Sequence, residues 1–257
     1  MGTKRLGQAR LETLAKSMGK RDGGIPIPQA SLAPNKYHEL WDEFDTCDIS
    51  TAAAVTAAAT AGHASRWLST IANGGSVLLD IALPGGQVKL LTDNTDDDVI
   101  NLQAPGAGFK LANSKKLWFE TRLALLDVDK SGLFVGLASA SGAADPSVLA
   151  EYDDALGFGM VDGAASTALN HVVVKGSTET NASLDTATAL TDGTYVVLSI
   201  YWDGSSLFFY VDGTLVSQPA VTNLPDDVVV NPTIELANRD GQVNSLHVDY
   251  IRVVQER

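Results

Sequence analysis

Strict alternation of apolar and polar residues, cut into short pieces by Asp-Gly pairs, sets what this chain can become. Val196, Leu198, Ile200 and Trp202 alternate with Tyr195, Val197, Ser199 and Tyr201. Leu117, Phe119, Thr121, Leu123 and Leu125 alternate with Trp118, Glu120, Arg122 and Ala124, and Val77, Leu79, Ile81 and Leu83 with Leu78, Asp80 and Ala82. Successive side chains of a strand point to opposite faces, so a period of two marks strands with one face on a core. Asp-Gly occurs six times, beginning at Asp22, Asp162, Asp192, Asp203, Asp212 and Asp240. The pair favours tight hairpins because both residues tolerate positive φ. Asp203-Gly204 and Asp212-Gly213 bracket Leu207–Val211 and predict a short meander, WDGSSLFFYVDGTLV. No long 3.6-period segment separates the strands, which argues against parallel βαβ topology; only Pro146 to Ala155 reads as a short helix or helical turn. The expected fold class is all-β, an antiparallel β-sandwich.

Charge divides the chain in two. Residues 1–36 hold seven basic side chains and two acidic ones, a net of +5, whereas the other 221 residues hold eleven and twenty-nine, a net of −18. We expect a basic N-terminal arm, 1–36, on an acidic body, 37–257. Such a body repels nucleic acid and anionic lipid. In the arm, Leu6, Leu11, Leu14, Ala15 and Met18 recur at helical spacing with basic residues between, which predicts a short amphipathic helix ended by Gly19 and Gly23-Gly24. Three prolines between Pro26 and Pro34 then favour an extended strap. With 45% hydrophobic residues the chain has the material for a full core, and its longest uncharged run, Ile49 to Gly62, is too short and too rich in Ala and Thr to cross a bilayer. The Thr51–Ala61 part of that run reads as strand and loop. The single cysteine, Cys47, excludes a disulfide within the monomer, and the charged start MGTKRLGQARLE has no apolar region of a secretory signal.

Three blocks carry a resemblance. They are KLWFETRLALLDVDKSGLFVGLAS, DGTYVVLSIYWDGSSLFFYVDGTLV and PTIELANRDGQVNSLHVDYIRVVQER. Their W-F-E-x-R strand followed by a hairpin into F-V-G-L, their Y-x-D-G … F-Y-V-D-G and their closing V-D-Y-I-x-V resemble the concanavalin A-like, laminin-G-like jelly-roll domain over roughly residues 67–257. The start K-R-L-G-x-x-R-L-x-x-L, the Pro-rich strap and one such sandwich together resemble virion structural proteins of tailed bacteriophages. That resemblance implies a protein made in the host cytoplasm and assembled onto a capsid or tail, with the major capsid protein or other virion proteins as partners.

Jelly rolls of this kind include glucanases, so we looked for paired carboxylates. Retaining hydrolysis needs two carboxyls about 5–5.5 Å apart, which E-x-D-x-[x]-E supplies from one strand face. Glu151-Tyr152-Asp153-Asp154 begins that string but lacks the closing Glu, and Glu120 and Glu235 have no same-face acid at the spacing. The chain is therefore expected not to be an enzyme. His38, His63, His171 and His247 show no metal-binding spacing and read as surface or strand-edge residues. Cys47 reads as a small, partly buried residue, and no phosphate loop or nucleophile elbow occurs, so no cofactor is expected. Two loops are weak Ca²⁺ candidates: Asp127-Val128-Asp129-Lys130-Ser131-Gly132, where Ala138 stands at the bidentate Glu position, and the cluster holding Asp93, Asp96 and Asp98. Turn chemistry and solubility explain both without a metal. Sugar stacking needs exposed aromatics beside polar groups. Trp118 and Trp202 read as core, leaving Tyr152, Tyr195 and Tyr201 as candidates for exposure.

The leading expectation is a capsid decoration, or cement, protein. Lys4, Arg5, Leu6, Arg10, Leu11, Leu14 and Met18 are its expected capsid anchor, with the apolar side chains supplying affinity, since each exposed ion pair contributes only about 0–1 kcal/mol. A carbohydrate-binding module for host attachment is the alternative. Sandwich edges and Tyr-rich faces also suit a homo-oligomer.

Overall fold

The computed structural model describes residues 36–44, 49–52, 66–80, 86–139, 152–160, 168–184 and 188–257. They form a two-layer β-sandwich, as the alternation predicts. Sheet 1 runs β14 (Thr214–Ser217), β13 (Leu207–Val211), β12 (Val196–Trp202), β7 (Leu117–Leu125), β16 (Ser245–Glu256), β5 (Val88–Leu91) and β4 (Ser76–Leu79), with β1 (Tyr37–Asp42) also paired to β16. Sheet 2 runs β11 (Thr178–Ser183), β10 (Asn170–Lys175), β9 (Asp154–Met160), β8 (Ser131–Ala138), β15 (Asn231–Asn238), β6 (Val99–Gln103), β3 (Trp67–Ala72) and β2 (Ile49–Ala52). Among the described residues every pairing is antiparallel except β2 with β3.

The inward residues of both sheets meet in one core that includes Phe119, Leu123, Leu198, Ile200, Trp202, Val135, Phe158, Ile234 and Leu236. The meander forms as expected. Asp212 (φ 47°) and Gly213 (φ 79°) both sit in the left-handed region, the conformation a two-residue hairpin requires. At the other turn, Asp203 Oδ1 accepts the backbone N–H groups of Ser205 (2.8 Å) and Ser206 (2.7 Å).

Four expectations need correction. The turn through Asp127–Lys130 is not a hairpin: β7 belongs to sheet 1 and β8 to sheet 2, so it arches across the core. Of the pattern from Val77 to Leu83, Leu78 and Leu79 are both exposed on the short strand β4, at the end of sheet 1 among the described residues, so the inward alternation fails at Leu79; Ile81 and Leu83 lie outside the described residues. Asp154 and Ala155 open β9 instead of ending a helical turn, since pairing with β8 and β10 overrides the local pattern. His171 is a buried residue of β10, not a surface one, against the Phe209 ring. The arm, Cys47, His63 and most of the Thr/Ala run lie outside the described residues; of that run, Thr51 and Ala52 fall in β2.

Strand β16 spans the body. Its twelve residues, eleven rises of about 3.3 Å, cover roughly 36 Å, and the two ends of the sandwich differ in charge. At its Glu256 end stand the exposed Lys36, Lys110, Lys115, Lys116 and Arg257, with Glu256 and Asp203 among them and Asp226 close to Lys110. Here the Lys36 carbonyl accepts the Arg257 N–H (2.8 Å), so residues 1–35 join the body at this basic end. At its Ser245 end gather the loops that carry Asp93–Asp98, Asp127–Asp129 and Asp240.

Candidate functional site

Three parts of the surface hold chemistry. The first is the outer face of sheet 1. Register places Glu39, Val254, Trp118, Tyr201 and Phe208 in one row across β1, β16, β7, β12 and β13, and Trp41, Arg252, Glu120, Ser199 and Tyr210 in the next. Trp118 lies 5.9 Å from Tyr201 and 6.1 Å from Tyr210, and Tyr201 stacks on Phe208 at 6.0 Å. Trp118 thus points away from the main core, which corrects the expectation for it; Trp202 is in the core, as expected. Trp118 is nonetheless 1% exposed, and its indole N–H has no hydrogen-bond partner. Burial pushes the Tyr201 and Tyr210 hydroxyls above their usual pKa.

The neighbouring row is polar. Arg252 Nε and Nη2 contact Glu39 Oε1 at 3.0 and 2.9 Å, and its guanidinium lies 4.7 Å over the Trp41 ring, which is 45% exposed. Tyr250 donates to Glu120 Oε1 at 2.7 Å, and Ser199 to its Oε2 at 3.4 Å. Glu39 and Glu120 therefore flank one arginine from strands 80 residues apart in sequence, an arrangement no same-strand search finds.

The second part is the acidic rim. Asp98 is fully buried, and its Oδ2 accepts the Asp93 N–H at 3.2 Å. Burial, and then the adjoining Asp93 carboxyl, push Asp98 up to about 6, while Asp93 is held below its usual value by that same contact and by Thr95. Asn238 Nδ2 ties the loop down through the carbonyls of Asp93 (3.0 Å) and Thr95 (2.9 Å). Asp127 stands in the second loop with Lys130, whose ammonium lies 3.7 Å from it and 3.4 Å from Asp240. Burial raises the Asp127 pKa. Asn244 Nδ2 donates to the Lys130 carbonyl (3.0 Å) and Arg239 N to the same atom (3.0 Å), so the two acidic loops share one end of the sandwich. Of the Ca²⁺ candidates, Asp93 and Asp98 are brought together; Asp96 is exposed, and Asp127 and Asp129 belong to the other loop. Among the described residues no group of three or more His, Cys, Asp or Glu is arranged to hold a metal.

The third part is the outer face of sheet 2. Glu235, buried on β15, accepts Asn101 Nδ2 (2.6 Å) and the Tyr152 hydroxyl (2.7 Å) on Oε2. Tyr152 packs on Phe134 at 4.8 Å, and Ala138, Ala155, Val172 and Val174 complete a second small core. Of the tyrosines expected at the surface, Tyr152 and Tyr201 are buried, and Tyr195 is half-buried beneath Arg122, 4.2 Å from its ring. The exposed aromatic is Trp41, missed because its role depends on β1 pairing with the last strand. The arm residues Lys4, Arg5, Leu6, Arg10, Leu11, Leu14 and Met18 lie outside the described residues.

No protein-family profile matches the chain, and no curated protein matches it in sequence. Solved structures do match in fold. SCLam, a non-specific endo-β-1,3(4)-glucanase of family GH16, superposes with a TM-score of 0.56 at 14% identity, covering 91% of this chain and 94% of its own. The carbohydrate recognition domain of Emp47p gives 0.55 at 12%, covering 85% and 96%. A family GH16 endo-glucanase from Bacteroides ovatus gives 0.55 at 15%, covering 83% and 99%. The fold is the concanavalin A-like jelly roll, an architecture shared by carbohydrate-recognition domains and glycoside hydrolases. These matches overturn the expectation that the chain is not an enzyme: its architecture is that of endo-glucanases. The missing E-x-D-x-[x]-E string was too narrow a criterion, because a sheet can bring polar side chains together from separate strands, as the Glu39–Arg252 pair shows.

Proposed function

We propose that this chain is a bacteriophage virion structural protein of the capsid decoration type, its sandwich, residues 37–257, displayed on the particle and its arm, residues 1–36, attached to the major capsid protein. The observation that carries this reading is the polarity of the molecule. The +5 arm joins the body at the basic end, beside Lys110, Lys115, Lys116 and Arg257, while the carboxylates of Asp93–Asp98, Asp127, Asp129 and Asp240 gather at the other. An acidic shell attracts the first end and repels the second, which orients the body outward. Deleting residues 2–24 then abolishes incorporation into virions, measured by mass spectrometry of purified particles. Leu11→Asp with Leu14→Asp does nearly as much. An arm-deleted chain that decorates particles at full occupancy sinks the reading.

A second reading is carbohydrate recognition for host attachment. It is favoured by the likeness to carbohydrate-recognition domains and by the exposed Trp41 ring beside the Arg252–Glu39 pair, a stacking surface with fixed polar groups. Saturable binding of the full chain on a glycan array, lost in Trp41→Ala, supports it; an array without signal refutes it.

A further inference from the structure

A polar layer closes the core at the acidic end of the sandwich. Thr92, Asp98, Asn238 and Asn244 continue the inward faces of β5, β6, β15 and β16, and each is at most 2% exposed. The side-chain donors of this layer are engaged. Asn238 Nδ2 holds the Asp93 and Thr95 carbonyls, Asn244 Nδ2 donates to the Lys130 carbonyl (3.0 Å) and Asn238 Oδ1 (3.4 Å), and the Thr92 hydroxyl donates to the Asn244 carbonyl (3.3 Å). Two acceptors are left over: Asp98 Oδ1 and Asn244 Oδ1 are buried and receive no hydrogen bond. We propose that these two oxygens ligate one monovalent cation, Na⁺, at the end of the core between the two sheets.

The two side chains meet at Asn238 from opposite sheets. Asn238 lies beside Asp98 in sheet 2, its backbone N–H donating to the Asp98 carbonyl at 2.8 Å, while Asn244 reaches it from sheet 1. A buried carboxylate oxygen without a donor is costly, and an excess of acceptors is answered by a partner that brings positive charge. The neighbouring side-chain cations are engaged elsewhere: Lys130 lies between Asp127 and Asp240, and Arg239 contacts Asp97 at 3.5 Å. A hard cation takes oxygen ligands of this kind. Charge selects a monovalent one. Asp98 is the one carboxylate of the layer; Asp93 adjoins it but is half-buried, with its Oδ1 on the Thr95 N–H (2.7 Å), and Asp96 and Asp97 are exposed. One carboxylate oxygen and one amide oxygen balance a single positive charge, whereas Ca²⁺ gathers six to eight oxygens, several of them from carboxylates. The ion joins the loop of Asp98 to Asn244, which itself holds the Lys130 carbonyl, so it fixes both acidic loops as one unit.

Urea unfolding of the purified full chain tests this without any virion, with choline chloride holding the ionic strength. Exchanging about 100 mM choline chloride for NaCl near neutral pH should raise the folding constant about tenfold, the response of a site half-filled near 10 mM. Asp98→Asn, which keeps the shape of the side chain and removes its charge, should lose that response. Asn244→Ala, which leaves Asp98 in place, should lose most of it and carries the same comparison if the first variant does not fold. A response kept in full by either variant would overturn the proposal in favour of salt acting elsewhere on the chain. A parent that unfolds alike in the two salts would refute it, leaving water alone on the two oxygens. Stabilisation by about 1 mM CaCl₂ in choline chloride that matches the effect of NaCl would refute it in favour of a divalent site.

Discussion

The two outer faces of this sandwich are finished in different ways. On sheet 2 the face is sealed over its centre: Phe134, Tyr152, Val172 and Val174 build a second core, and the buried carboxylate of Glu235 is held by Tyr152 and Asn101. Glycines make this closeness available. Gly157 faces the Phe134 ring, and any Cβ there would stand 2.7 Å from ring carbon Cε2; at Gly136 it would stand 2.2 Å from the Leu156 carbonyl oxygen. On sheet 1 the face is half open and mixed, with Trp41 exposed, an Arg252–Glu39 pair and an aromatic row. A sealed face serves stability. A mixed, half-open one is where a partner can be recognised.

If that contrast is right, mutations on sheet 2 should be felt most. Gly136→Ala and Gly157→Val should each prevent recovery of soluble, cooperatively melting protein, since the obstruction includes backbone, which cannot step aside. Glu235→Ala should come next, destabilising by about 2–4 kcal/mol in urea unfolding, because it removes the charged acceptor that the Tyr152 hydroxyl and the Asn101 amide share in a buried site. The rim joining the two sheets should rank third, and its effect should depend on pH. Asp98 takes its proton at about pH 6 in the folded chain but near 3.8 when unfolded, so its contribution to stability improves as pH falls through 6. Asp98→Asn should therefore be more stable than the parent at pH 7, by about 1–3 kcal/mol, with the gap narrowing below pH 6 and closing only as pH falls below about 4. His171, whose pKa burial lowers, acts in the opposite sense. It favours protonation of the unfolded chain below 6.5, which is why the difference between the two proteins, not the parent curve, is the quantity to follow. The smallest change should come from sheet 1. Arg252→Ala removes a partly exposed ion pair and a ring contact, so about 1 kcal/mol or less is expected by the same unfolding measurement. A loss there as large as that at Glu235 would erase the distinction between the faces.

Where the strands are long and strictly alternating, local pattern was enough. Strands β7 and β12 lie where the period of two puts them, and the Asp203-Gly204 and Asp212-Gly213 turns close the meander between them. The candidate sites were less legible. Trp118 stands between Leu117 and Phe119, and Trp202 follows Ile200 and Tyr201, yet Trp202 lies in the main core and Trp118 on the outer face. The alternation itself sets Trp118 on the Glu120–Arg122 side of β7, but its large apolar ring between Leu117 and Phe119 masks that position. Glu39, Arg252 and Glu120 meet only because β1 pairs with β16 and β16 with β7.

The sequence by itself thus determined an all-β chain of short alternating strands, the position of its tight turns, and a basic segment ahead of an acidic remainder. Those properties are local: they depend on side chains two or a few residues apart and on the φ preference of Asp-Gly. Tertiary structure decided the rest. It set which strands share a sheet, that the Asp127 turn arches between sheets, that Asp98 is buried against Asp93 in a loop tied down by Asn238, and that the basic residues and the acidic loops occupy opposite ends of β16. Each of these depends on contacts between residues far apart along the chain, and strand pairing and burial create them only once the core has closed.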